Sequence, residues 1–122
     1  MDLSSRVVLL TGGRRMGATI ALAVAERGAD VAVTYRSSPS DAETIVKAGQ
    51  GTGRRAMAVH ADVSDAASAT AMMADVDRAF GRLDVLINMA SLYESVPFDA
   101  MTLEHWRRQL AVDLDGTLNM SR

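Results

Sequence analysis

Apolar positions along this chain alternate between short continuous runs and helically spaced stripes. The first run, Arg6 to Thr11, is apolar at nearly every position and stops at glycine, as a strand buried on both faces should. From Met16 to Arg27 the spacing changes: Ile20, Ala21, Val24 and Ala25 fall on one side of a helix, and Gly28 is placed to cap it. Val31 to Tyr35 reads as a second buried strand. Pro39 to Gln50 reads as a helix opened by Ser38 or Ser40, with Gly49, Gly51 and Gly53 turning the chain after it. Arg55 to His60 is a third strand. Ser64-Asp65 caps a helix running to about Phe80, which Gly81 ends, and Leu83 to Asn88 is a fourth strand. After a loop around Pro97, a last helix spans Thr102 to roughly Arg122, where Thr102 with Glu104-His105 gives part of a capping signal.

Strict strand–helix alternation predicts an α/β fold: a parallel sheet with right-handed crossovers and helices on both faces. No repeat or linker interrupts it, so residues 1–122 are expected to form a single domain. Composition narrows the picture. At 48% hydrophobic and 23% charged residues the chain has the balance of a globular domain, and with only 4% aromatics its core must be built from small aliphatic side chains. A net charge of −2 offers no basic footprint, so no nucleic-acid partner is expected. The absence of cysteine excludes disulfides and thiolate metal sites. No apolar run approaches the ~18 residues of a membrane span. The run Val7 to Leu10 is too short for a secretion signal, so a cytoplasmic location is expected. His60 and His105 stand alone, without metal-ligand spacing, and read as structural or surface residues.

Candidate chemistry begins at Thr11-Gly12-Gly13-Arg14-Arg15-Met16-Gly17, between the first strand and the first helix. A phosphate needs backbone N–H donors and a helix N-terminus aimed at it, and glycines allow close approach because no Cβ intervenes. In folds that bind a dinucleotide, an acidic residue at the end of the second strand takes the ribose 2′-hydroxyl of NAD, whereas an arginine accommodates the 2′-phosphate of NADP. Here the second strand ends Tyr35-Arg36-Ser37-Ser38 with no carboxylate. Ala61-Asp62-Val63 follows the third strand, where Asp62 serves either a ligand or the N-terminus of the next helix. Leu86-Ile87-Asn88-Met89-Ala90-Ser91 ends the fourth strand.

These segments together resemble the front half of the short-chain dehydrogenases/reductases. The glycine segment resembles that family's TGxxxGxG loop. It is most similar to the pteridine-reductase-like sub-type, in which arginine replaces the middle glycine, with Arg15 in that place and Gly17 at the last glycine. Gly12 and Gly17 are five residues apart where the motif has six, so the loop is one residue short, and a tighter path over the pyrophosphate or weaker cofactor affinity follows. Asn88-Met89-Ala90-Ser91 resembles a variant of the NNAG signature, and Ala111-Val112-Asp113-Leu114 stands where the family carries a helical asparagine, replaced here by Asp113.

The resemblance implies a Rossmann-type doubly wound sheet whose first four strands lie in order 3-2-1-4. It implies NADP(H) as cofactor, held by Gly12, Gly13, Arg14, Arg15, Met16 and Gly17 of the glycine loop, with Arg36 and Ser37 at the 2′-phosphate, which Arg14 or Arg15 would also clamp from the loop. Asp62 and Val63 would meet the adenine, and Asn88 to Ala90 the riboses, with Asn88 also stabilising the central sheet. The family's chemistry uses a serine and a Tyr-x-x-x-Lys pair. The chain's two tyrosines, Tyr35 and Tyr93, are each followed four residues on by proline, and the sole lysine is Lys47. The expectation is therefore the cofactor-binding half of an NADP(H)-dependent carbonyl oxidoreductase, with no catalytic residue in the chain unless Asp113 serves. The alternative is a non-catalytic dinucleotide-binding or interaction module. The family's dimers also pair through this last helix, whose stripe Trp106, Leu110, Leu114 and Leu118 is apolar.

Overall fold

The structure, a computed structural model, describes residues 1–14 and 16–122. Strands β1 (Val7–Thr11), β2 (Asp30–Tyr35), β3 (Ala56–His60) and β4 (Val85–Asn88) pair in parallel in the order β3-β2-β1-β4. The chain steps outward from β1 through β2 to β3, then returns to lay β4 against the other side of β1. That reversal of direction opens a crevice at the carboxyl ends of β1 and β4.

Strand periodicity sorts the core into two layers. Val8, Leu10, Val31 and Val33 face α1 (Gly17–Ala25) and α2 (Pro39–Gly51), packing on Ala21, Ala25, Ala42 and Ile45. Leu9 and Ala32 face the other way, onto Ala69, Met72 and Val76 of α3 (Ala66–Phe80) and onto Val112 and Met120 of the last helical segment. The central strands β1 and β2 are buried almost throughout, while β3 and β4, at the sheet edges, are half-covered. Small residues let the layers close. A Cβ on Gly116 would come within 2.7 Å of Val63 Cγ2, so this glycine sets how near the last helix approaches the turn after β3.

Side chains cap α3 and the final helix, whereas α1 begins without a side-chain cap and Ser38 stands at the N-cap of α2 without a side-chain bond. Asp65 caps α3 by accepting from the Ala67 N–H, and Gly81 ends it in the left-handed region at φ 74°. The last turn of α1 closes at Glu26, and Gly28, at φ 95°, caps the helix as expected: the Gly28 N–H bonds the Ala25 carbonyl and the Ala29 N–H the Val24 carbonyl. The final helix begins with a complete capping box: Thr102 Oγ1 accepts from the His105 N–H and His105 Nδ1 accepts from the Thr102 N–H, each at 3.2 Å. The imidazole fills the part that Glu or Gln usually plays, which is why the sequence signal looked incomplete. This helix is not uniform either. α4 (Leu103–Leu110) passes through a π turn at Ala111–Asp115 into α5 (Gly116–Ser121).

Two carboxylates tie the amino ends of the strands. Asp30 is buried at the start of β2 and bonds Arg54 Nη2 at 2.9 Å and Arg55 Nε at 2.8 Å. Burial acts most strongly on its carboxyl, and upward, yet bonds from the Arg55 side chain and N–H, with the charges of Arg54 and Arg55, hold it below the ordinary aspartate range. Asp84, just before β4, accepts from Arg82, from the Val7 N–H at 2.9 Å and from Arg6 at 3.1 Å. The Arg82 bond does most to lower its pKa, the Val7 N–H next, and the result is about 2. Among the described residues, no helix is long and apolar enough to cross a membrane.

Candidate functional site

A cleft of about 610 Å³ opens at the carboxyl end of the sheet, a size typical of small-molecule sites. Its floor begins with β1, where Thr11 is buried at the last strand position. Thr11 Oγ1 accepts from the Met89 N–H at 3.0 Å and the Ala90 N–H at 3.1 Å, fastening the tail of β4 over the end of β1. Thr34 is the equivalent residue on β2, and its Oγ1 accepts from the Gly12 N–H at 3.1 Å. Two threonines at the ends of buried strands therefore hold the glycine loop and the β4 tail beside each other.

The glycines prove necessary for packing within the loop's surroundings. Gly12 has φ 77°, and a Cβ there would lie 3.0 Å from the Ala90 Cα and 3.2 Å from the Ala90 nitrogen. A Cβ on Gly13 would meet Ile45 Cδ1 of α2 at 2.7 Å. Gly17 sits against the Gly12 carbonyl, where a Cβ would stand at 3.2 Å, and its N–H reaches the Arg14 carbonyl at 3.4 Å. Helix α1 opens directly from this turn, and its first N–H groups have no earlier helical carbonyl to bond. Ala18, in that first turn, lines the cleft.

Of the residues singled out in the sequence, Gly12, Gly13, Arg14, Arg36, Ser37, Asp62, Val63 and Ala90 line this cleft together. Met16, Gly17 and Asn88 stand outside its wall. Arg15 lies outside the described residues. Asp62 does not cap α3, since Asp65 takes that place; its carboxylate accepts from the Ser64 N–H at 3.0 Å and the Ser64 hydroxyl at 2.6 Å, shaping the turn after β3. Val63 is buried, and its carbonyl accepts from Asn119 Nδ2 at 3.0 Å. The Asn88 side chain donates to Ser121 Oγ of α5 at 3.3 Å, while Thr11 binds the tail of β4. Asp113 lies in the π turn, exposed, and its carboxylate accepts from the Leu92 N–H at 3.1 Å; Val112 beside it, not Asp113, lines the cleft.

The wall also contains Asp41 and Thr44 of α2 and Leu92 and Tyr93 beyond the β4 tail, which the sequence did not announce, together with Ser38, Met89 and Ser91 of the segments it did. His60 meets Tyr35 edge-on at 5.5 Å, and its Nε2 donates to the Arg36 carbonyl across 3.1 Å. An isolated histidine thus fixes the backbone that carries Arg36. Thr11 and Thr34 could have been found, because each is a polar residue at or next to the carboxyl end of a buried, largely apolar strand. The contributions of α2 carry no comparable mark. No group of three or more potential metal ligands gathers among the described residues.

A doubly wound parallel sheet with its cleft at the reversal of strand order defines the Rossmann-type architecture. The profile of the short chain dehydrogenase family matches residues 6–122, and the chain belongs to that family. It is 41% identical over 117 residues to an uncharacterized oxidoreductase of Methylorubrum extorquens, covering 95% of this chain and 47% of that protein. It is 40% identical over 123 residues to a hydroxynaphthalene reductase of Aspergillus fumigatus, covering 100% of this chain and 45% of that one. A solved short chain dehydrogenase of Burkholderia cenocepacia, in complex with NADP, superposes with a TM-score of 0.92 at 36% identity, over 99% of this chain and 50% of that one. The chain spans about half the length of the relatives it matches.

Proposed function

We propose that this chain is the cofactor-binding portion of an NADP(H)-dependent oxidoreductase acting on a carbonyl or alcohol substrate. The observation that carries the reading is the cation pair Arg14 and Arg36, with the hydroxyls of Ser37 and Ser38, on the wall of a cleft at the carboxyl edge of β2, where an NAD-binding site would carry an acidic residue. The residues present fit the cofactor in chemistry as well as in size. Guanidinium groups suit a phosphate, the opening turn of α1 suits a pyrophosphate, and Ala90, Leu92 and Val112 offer apolar cover for rings. The NADP complex of the Burkholderia cenocepacia relative supports the same choice.

In this reading Arg36 and Arg14 hold the 2′-phosphate, with Ser37 beside them. The Gly12–Gly17 loop delivers the start of α1 to the pyrophosphate. The turn at Asp62 and Val63 borders the adenine, and the backbone of Asn88 to Ala90 borders the riboses. The bound nicotinamide supplies the hydride; the protein's part is to bind, orient and exclude water. No tyrosine here has a lysine four residues on, so no residue of these 122 is assigned proton transfer at the substrate. The reductive direction accords with the hydroxynaphthalene reductase among its relatives. Arg14 and Arg15 support placing the chain with the arginine-loop members of the family. Association of two copies through α4 and α5, and a cytoplasmic setting, belong to the same proposal. Fluorescence titration with NADPH and NADH tests it: tighter binding of NADPH is expected, and equal affinity for the two would refute the NADP(H) assignment.

A further inference from the structure

Among the described residues, four charged side chains line the cleft: Arg14, Arg36, Asp41 and Asp62. The carboxylate of Asp62 is engaged by Ser64. Asp41 is different. It stands in the first turn of α2, where the helix N-terminus favours a negative charge, and it shares the wall with Ser37, Ser38 and Thr44. Among the described residues its ion-pair partner is Arg14, with Asp41 Oδ2 4.0 Å from Arg14 Nε and the two side chains 51% and 76% exposed. Among the described residues, one of the two arginines of the wall thus already faces a carboxylate within it.

We infer that Asp41 is a specificity-determining residue of this cleft: it competes with the 2′-phosphate for Arg14 and so holds the preference for NADP(H) below what Arg14 and Arg36 alone would confer. This rests on the cofactor reading above. A long, exposed ion pair holds its arginine weakly, and a phosphate offers more charge and more acceptor oxygens than a carboxylate. The phosphate therefore wins the guanidinium but must displace Asp41 and remain near its charge. Screening by salt keeps that opposition modest, so Asp41 tunes the preference by a small factor.

The test is calorimetric titration of the chain with adenosine 2′,5′-bisphosphate and with adenosine 5′-monophosphate, which differ by the 2′-phosphate. Asp41→Asn is compared with the unaltered chain and with Glu43→Gln, which removes the same charge from an exposed position of α2 outside the cleft wall. The expected result is that Asp41→Asn tightens the bisphosphate by about three- to fivefold, the scale of an exposed ion pair, and changes the monophosphate by less than about twofold. Glu43→Gln is expected to leave the ratio of the two unchanged. An unchanged or reduced ratio in Asp41→Asn overturns the inference, as does an equal gain from Glu43→Gln. An unaltered chain that binds both probes alike, with the ratio flat in every variant, contradicts the cofactor reading itself.

Discussion

Thr11 and Thr34 show how much of the cleft depends on single atoms. Each is a hydroxyl at the end of a buried apolar strand, and each replaces a backbone acceptor just where the chain leaves the sheet. Replacing Thr11 with valine keeps the volume but deprives the Met89 and Ala90 N–H groups of their shared acceptor. Unmade hydrogen bonds in a partly buried setting cost about 1–2 kcal/mol, so Thr11→Val should lower unfolding stability in urea by that amount. It should also weaken dinucleotide binding, because the β4 tail lines the cleft. A change below about 0.5 kcal/mol would mean that water replaces the hydroxyl fully. At this scale the sequence was only partly legible. The glycine loop and Arg36 stood out because glycine and charge are rare beside buried strands. The reason Gly12 must be glycine did not, since it lies in the Ala90 backbone, which is 78 residues away in the chain.

Among the elements, the strands and helices were largely readable because each has one strong periodic signature. The strand starts shifted by a residue or two: β1 and β3 begin one residue later than their apolar runs, β4 two later, and β2 one earlier, at Asp30. The π turn at Ala111–Asp115 had no such signature; beside it Gly116 packs on Val63, and within it the Asp113 carboxylate accepts from the Leu92 N–H. The junction of β1 and β4 makes an electrostatic prediction. The pKa of Asp84 is depressed to about 2, so its contribution is present in full above the unfolded value near 4 and is lost as pH falls toward 2. Asp84→Asn removes the charged acceptor. The stability gap between the unaltered chain and this variant should be constant from neutral pH to about 5, then close as pH falls from about 4 to about 2. Urea midpoints measured across that range check it, and a gap that stays constant down to the acid end would contradict it.

The whole molecule presents one covered and one uncovered side. α1 and α2 complete one layer, while the opposite layer ends in a helix whose outer stripe is open: Trp106 is 53% exposed, Leu114 62% and Leu118 60%. The outer edge of β4 is likewise unpaired. Apolar stripes of this kind mark association surfaces, and light scattering should find the chain dimeric at high concentration. Leu114→Glu combined with Leu118→Glu should shift it toward monomer; a clean monomer before any substitution would contradict association through this helix. The sheet order was foreseeable from strand–helix alternation joined to the family resemblance, because right-handed crossovers leave few alternatives. The cleft's α2 wall was not, because it depends on how a helix lies across the sheet rather than on any local pattern. The account as a whole rests on the 2′-phosphate being read by Arg36, and the most direct measurement is the ratio of NADH to NADPH dissociation constants in the unaltered chain and in Arg36→Ala. The account predicts a preference for NADPH that falls by about tenfold or more in the variant, the loss of a charge-assisted contact, with NADH affinity nearly unchanged. A ratio that Arg36→Ala leaves intact, or a loss shared equally by both cofactors, would contradict it.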